Sequence, residues 1–291
     1  MKHTAKGPLS RLLATPHILW SVLFILIPLA FVAFYAFTKT IDQDGVSITV
    51  LTLENIQLFF TPKYLSVFLR SVKLALIATV ICLLIGYPAA YFISRTSANT
   101  QKILVVLIML PMWTNFIIRT YALSEVLEVL NNAAVALLGL LPEAWVPIPL
   151  DPKPDLLIYN EFAVVVGMVY DFLPYMILPI YSVMAKLDYR LVEAAQDLGC
   201  NGFGVLRKVI MPLSIPGVLS GITMVFVPSI STFYISNQLG GIFLIGDIID
   251  YYYYNNNHHF AAALSFVLMM ILLASLILMN RFGDDEKEGA R

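Results

Sequence analysis

Six long apolar segments alternate with polar stretches along the chain. A membrane-spanning helix needs about 20 mostly apolar residues, and each segment meets that requirement. We therefore expect spans at about 17–37, 70–93, 102–122, 162–184, 213–234 and 260–280. The pattern predicts an all-α membrane protein with six transmembrane helices, organised as one domain over residues 1–291.

The first apolar segment has a second interpretation. Lys2, Lys6 and Arg11 precede it, as basic residues precede the apolar region of a signal peptide. However, the apolar run is too long for a signal peptide, and no small-x-small cleavage site follows it cleanly. We therefore expect a retained helix.

Composition agrees with a membrane location. Of the 291 residues 59% are hydrophobic, against about 45–50% in soluble globular domains. The formal net charge of −1 gives no sign of a nucleic-acid partner. Cys82 falls inside an apolar span and Cys200 in a polar loop, so we expect two small packing residues rather than a disulfide or a metal site.

The distribution of charge predicts how the spans are oriented. If the amino terminus is inside, 12 of the 18 basic residues fall in inner segments. Cytoplasmic loops carry an excess of Lys and Arg. We therefore expect a multi-pass membrane protein with both termini in the cytoplasm and a cytoplasmic loop at 185–212.

The outer loops have distinct characters. Residues 125–141 are amphipathic and predict a helix along the outer surface, and a Pro-rich run follows at 142–154. Residues 251–259 read YYYYNNNHH. The adjacent His258 and His259 could bind a metal, but neighbouring side chains point apart on a helix or strand, so a solvated loop without metal is the expectation.

Several function classes lack their sequence signatures. The chain contains no GxxxxGK[ST] phosphate loop, no HExxH and no Ser-His-Asp arrangement. We expect a non-catalytic subunit that binds no cofactor or nucleotide itself. No internal repeat is evident, which argues against a self-sufficient carrier. A stand-alone carrier or channel stays open as an alternative, and a membrane enzyme is the least favoured.

The cytoplasmic segment contains a spaced motif. Glu193, Ala194 and Ala195 are followed after three residues by Gly199, and after nine more by Val-Ile-Met and Pro212. This pattern resembles the signature of permeases in binding-protein-dependent ABC importers, Glu-Ala-Ala, three residues, Gly, nine residues, then Ile-x-Leu-Pro. The departures are Val209 for Ile and Met211 for Leu.

The residue types of the motif suit a docking helix. Small Ala194 and Ala195 allow another surface to approach closely, and Glu193 offers a charge. Gly199 permits a sharp turn, and Pro212 can start the next helix. The alternative is a solvated linker with fortuitous Ala and Gly. The resemblance implies that the helix seats in a groove of an ATPase subunit and moves with it.

Other segments resemble one branch of that family, the first permease subunit of spermidine/putrescine importers. They are 83–91, 111–115, 118–121, 172–179, 233–236, 239–241 and 261–265, with a departure at 256–261. The resemblance implies a type I (MetI-like) permease fold with cytoplasmic coupling helices, located in the cell inner (plasma) membrane. It also implies a second homologous permease, an ATPase dimer that binds the ATP, an extracytoplasmic binding protein and a polyamine substrate.

A charge inside a span is a candidate for function. Asp171 lies within the fourth expected span, and a carboxylate with aromatic faces suits a flexible polyammonium ion. The candidate pathway residues are Asp171, Tyr170, Tyr175, Trp113, Phe233 and Tyr234. Alternatively, Asp171 pairs with Arg119 or caps the helix break before Pro174. Another organic cation, a metal ion or an anion stays open as the substrate.

Overall fold

The computed structural model describes residues 16–43, 46–140, 154–188 and 190–289. The residues group into two compact units, one of residues 1–65 with 248–272 and the other of residues 66–247 with 273–291. The single domain expected from the sequence stays a prediction.

The first unit begins with a long apolar helix and a hairpin. Helix α1 (Pro16–Ala36) includes a π-helical turn at Val22–Leu26. Strands β1 (Thr38–Gln43) and β2 (Val46–Leu51) then pair antiparallel, with Ile41 opposite Ile48. Helix α2 (Glu54–Phe59) follows the hairpin. The hairpin was not expected from the sequence.

The segment 251–259 is exposed at seven of its nine positions, as expected of a solvated segment, but both of its ends are helical and not loop. Helix α9 (Ile245–Tyr254) includes its tyrosines, and helix α10 (His258–Gly289) starts at its end. The His259 ring lies 3.1 Å from Thr38 Oγ1 through Nδ1 and 2.9 Å from Thr40 Oγ1 through Nε2. The Tyr64 and Tyr252 hydroxyls are 2.6 Å apart. These bonds give Tyr252 and His259 protein partners, and so they attach the segment to β1 and to Tyr64.

Among the residues that the structure describes, the remaining elements are helices and a π-helical turn at Ser236–Gly240. The helices are α3 (Pro62–Ser94), α4 (Ala98–Trp113), α5 (Phe116–Leu138), α6 (Glu161–Met184), α7 (Arg190–Asp197) and α8 (Gly202–Ser231). Within the described residues, six helices are long and apolar enough to cross a membrane: α1, α3, α5, α6, α8 and residues His258–Ile277 of α10. Helix α4 is apolar but only 16 residues long.

The expected third span, 102–122, is wrong as a single helix. Thr114 and Asn115 are extended, with ψ of 153° and 129°, and they separate α4 from α5. The Asn115 side chain accepts a hydrogen bond from the Ile117 amide at 2.8 Å and so caps α5. The amphipathic helix expected at 125–141 is likewise not separate, because α5 runs unbroken through Leu138.

The fifth span starts earlier than expected. Helix α8 runs from Gly202 rather than from 213, and it passes through a π-helical turn at Leu206–Ile210. Pro212 occupies the first turn of its regular part, Met211–Ser231, as the sequence predicts. Pro212 has no N–H and cannot donate the hydrogen bond of a regular α-helix. The π turn directly before it accommodates this loss, so that one helix continues.

Helices α6 and α8 form the centre of the second unit. Buried α6 residues include Met168, Met176 and Ile180. A Cβ on Gly221 of α8 would lie 2.8 Å from the Met176 sulfur, so only glycine permits this approach without a shift. The close packing gives the candidate site residues on α6 a rigid support.

Candidate functional site

The segment that follows α6 is a helix-turn-helix, as the sequence predicts. Helix α7 ends at Asp197, and Gly199 then adopts φ +83°. The Cys200 amide donates to the Ala195 carbonyl at 3.0 Å, which closes the turn. The Asn201 side chain accepts from the Gly204 amide at 2.8 Å and starts α8. Nothing lies within 4 Å of a Cβ built on Gly199, so its backbone angle and not its surroundings requires glycine.

The motif residues of α7 lie on different faces. Val192 and Ala195 are buried at 7% and 9% exposure and pack into the chain's own core. Glu193 and Ala194 are exposed. Ala195 is therefore small because this chain packs against it, whereas Glu193 and Ala194 are available to a partner.

Two apolar side chains beside the turn were missed by the sequence reasoning. Leu198 is 86% exposed and Phe203 is 71% exposed, and they flank Gly199. Large exposed apolar side chains on the two sides of one turn are candidates for a protein-binding surface. The signal in the sequence was available, because both are bulky apolar residues in an otherwise polar segment.

The second candidate site is a buried charge pair. Asp171 is fully buried and Arg119 is 9% exposed. Arg119 Nε donates to Asp171 Oδ1 at 2.5 Å, and the Thr120 hydroxyl donates to Oδ2 at 3.1 Å. Arg119 Nη1 also donates to the Pro111 carbonyl at 2.6 Å. The pairing of Asp171 with Arg119, kept open from the sequence, is the arrangement found, and a substrate role for Asp171 stays a prediction.

Two aromatic rings lie close to the guanidinium of Arg119. The guanidinium carbon of Arg119 lies 5.8 Å from the Tyr170 ring centre and 6.0 Å from that of Phe116. The Phe116 and Tyr234 ring centres are 6.3 Å apart. The structure thus connects Tyr170 and Tyr234 through Arg119 and Phe116. Phe116 was not a candidate from the sequence.

The other three candidate residues make no ring contact with Tyr170, Phe116 or Tyr234 in the described part of the structure. Trp113 is 71% exposed at the end of α4. Tyr175 packs against Phe172, with ring centres 6.3 Å apart. It is five positions after Tyr170 on α6, so the two side chains point about 140° apart. Phe233 is 47% exposed between α8 and the π-helical turn Ser236–Gly240.

A groove runs between α3 and α6. Its volume is about 590 Å³, and its walls are mostly apolar, with Tyr170 among the lining residues. Lys73 and Glu161 line one end, their charged atoms 2.7 Å apart. Arg70 Nε lies 3.6 Å from the same carboxylate.

Residues 82–284 match the family described as binding-protein-dependent transport system inner membrane component. This match covers the buried pair and the whole helix-turn-helix. The chain belongs to this family. The relatives of this permease include the spermidine/putrescine transport system permease protein PotB of Haemophilus influenzae, 38% identical over 79% of this chain and 78% of that protein. PotB of Escherichia coli is 35% identical over 79% of this chain and 81% of its own length.

A more distant relative is the inner membrane ABC transporter permease protein YdcU of Escherichia coli, 30% identical over 74% of this chain and 69% of that protein. Among solved structures, a bacterial ABC transporter involved in import of the acidic polysaccharide alginate aligns with a TM-score of 0.66. Its identity is 14%, and the alignment covers 95% of each chain. The permease therefore has the fold of an ABC importer membrane subunit.

Proposed function

We propose that this chain is the membrane-spanning subunit of an ATP-driven importer of polyamines such as spermidine and putrescine. The observation that carries the proposal is the segment 190–212, whose motif spacing resembles that of ATPase-coupled permeases and whose turn exposes Leu198 and Phe203. The polyamine assignment is supported by the relatives, which are named for spermidine and putrescine transport.

The chain crosses the inner membrane several times with both termini in the cytoplasm. The support is the excess of Lys and Arg in the segments that this orientation places inside. In this orientation the turn at Gly199 faces the cytosol. The carboxylate of Glu161, with Arg70 and Lys73, then lies towards the outer face.

The segment α7–Gly199–α8 binds the ATPase. Leu198 and Phe203 insert into an apolar groove of that subunit, because burying each removes a large apolar surface from water. Glu193 supplies a charge at the rim. Closure of the ATPase dimer around ATP then moves α7 and, through Val192 and Ala195, the core of this chain.

The complete importer contains more chains than this one. A second homologous permease completes the pathway, two copies of the ATPase bind and hydrolyse ATP, and an extracytoplasmic binding protein delivers the substrate. A structure similar to this chain was determined with a periplasmic protein bound to an alginate pentasaccharide, which supports the last partner. This chain itself supplies no catalytic group and no cofactor.

Aromatic side chains suit a polyamine pathway. Ammonium groups bind aromatic faces by cation–π contact, each contributing about 0.5–2 kcal/mol. Trp113, Tyr170, Tyr175 and Phe233 are each more than a third exposed on this chain, and Tyr234 lies beside Phe116. Contacts of this strength hold a cation without trapping it, as a pathway requires.

The proposal is tested by uptake of labelled spermidine and putrescine into proteoliposomes that contain the assembled complex. We expect uptake to require ATP, the ATPase and the binding protein. We also expect unlabelled putrescine to inhibit uptake of spermidine, and unlabelled spermidine to inhibit uptake of putrescine. Transport by this chain alone would identify a stand-alone carrier. ATP-dependent uptake of a different solute without competition by polyamines would identify another substrate.

A further inference from the structure

Arg119 connects three helices of the second unit. It lies in the first turn of α5, donates to the Pro111 carbonyl in the last turn of α4, and pairs with Asp171 of α6. Pro111 also accepts from the Thr114 hydroxyl at 2.7 Å. The break between α4 and α5 is therefore held by side chains on both of its sides and by the neighbouring helix.

The two charges match the helix ends created by the break. The carboxyl end of a helix carries a partial negative charge and the amino end a partial positive charge. The guanidinium of Arg119 lies at the last carbonyls of α4, and the carboxylate of Asp171 accepts from Thr120 in the second turn of α5. A continuous helix over 102–122 would have no ends here for these charges to stabilise.

The Asp171 carboxylate is already occupied. Both oxygens accept hydrogen bonds from this chain, and the residue has no exposed surface. An arriving ammonium ion would have to displace Arg119. That displacement would leave a guanidinium, 9% exposed, without its carboxylate, and separating a buried pair in this way is strongly unfavourable.

We propose that Arg119 and Asp171 form a brace that sets the bend between α4 and α5, and that Asp171 is a positioning residue and not a binding group for the transported cation. The brace holds Trp113 at the end of α4 and the rings of Phe116 and Tyr170 around the guanidinium. That the transported solute is a cation rests on the proposed function, whereas the structural role of the brace does not.

The brace and a substrate-binding carboxylate predict different responses to neutral variants. Removing one partner of a buried pair leaves an uncompensated charge, whereas replacing both with neutral groups does not. We would compare Asp171→Asn, Arg119→Gln and the double variant in the reconstituted complex, with Lys73→Gln as the control from an exposed ion pair.

For a brace, each single variant should lower the maximal uptake rate about tenfold or more with KM changed less than about twofold. The double variant should recover to within about threefold of the wild type. Should Asp171 bind the cation instead, Asp171→Asn and the double variant would share a KM raised about tenfold, with no recovery. That result would overturn the proposal.

A second measurement, the fluorescence of Trp113, does not require that the variants transport substrate or are as stable as the wild type. The chain has three tryptophans, so replacing Trp20 and Trp145 with Phe leaves Trp113 as the reporter beside the break. The emission of Trp113 should shift in each single variant and return in the double variant, and Thr120→Val should give a smaller shift. Unshifted emission in the single variants would refute the brace. A wild-type complex that takes up no polyamine would contradict the proposed function alone.

Discussion

Gly217 of α8 lies directly against Pro179 of α6, where a Cβ would be 2.9 Å from the proline carbonyl oxygen. The same Cβ would lie 3.1 Å from the Cα of Ile180. Both contacts are with backbone, which cannot rotate away. The spacing of the two central helices therefore depends on the absence of a side chain at this position.

Gly217→Val is expected to force α6 and α8 apart and to lower stability by about 1–3 kcal/mol, the usual cost of overpacking. Thermal unfolding of the purified protein in detergent measures the change. Gly202→Ala is the matched control, since its Cβ would meet nothing within 4 Å. Equal midpoints for the two variants would show that the helices accommodate the added side chain.

Gly199→Ala is expected to weaken coupling between ATP hydrolysis and uptake. Its φ of +83° costs a residue with a Cβ about 1–2 kcal/mol, so the turn and the exposed side chains beside it move. The measurement is the number of ATP molecules hydrolysed per polyamine imported. Gly199→Asn should be milder, because asparagine tolerates this conformation. Full coupling in Gly199→Ala would count against the docking of this turn.

Leu198→Ser is expected to weaken binding of the ATPase without changing the fold. Leu198 is 86% exposed, so replacing it removes no contact from the core of this chain. A leucine buried at an interface contributes about 1.5–3 kcal/mol to the free energy of binding. Pull-down of the ATPase at several concentrations measures the loss. The matched control is Leu53→Ser, an exposed leucine in the first unit. Phe203→Ser should act in the same direction, and unchanged retention in both variants would exclude this surface.

Asn201→Ala is expected to loosen the start of α8 by about 1 kcal/mol, the contribution of a side-chain cap. Asn201 accepts from the Gly204 amide at 2.8 Å. Hydrogen exchange at the Gly204 amide should therefore become faster. Asn201→Asp keeps an acceptor oxygen and should protect that amide as the wild type does. Unchanged exchange in Asn201→Ala would mean that the cap is not what protects this amide.

Much of the fold and one of the two candidate sites can be predicted from the sequence. The spans near 162–184 and 17–37 follow from apolar runs, because a membrane requires about 20 apolar residues whatever packs around them. The turn at Gly199 follows from glycine and its spacing. The limit appears at 102–122, where the apolar run continues through Thr114 and Asn115 and hides the break between α4 and α5.

The sequence by itself determined the class of protein, most of the apolar helices and the turn at Gly199, because these depend on local composition and on the conformations single residues permit. Only the tertiary structure decided which groups meet. It paired Asp171 of α6 with Arg119 of α5 across 52 positions of the chain, and it turned Ala195 inward while leaving Leu198 exposed. Such contacts depend on how helices pack, and neither periodicity nor residue type specifies that packing.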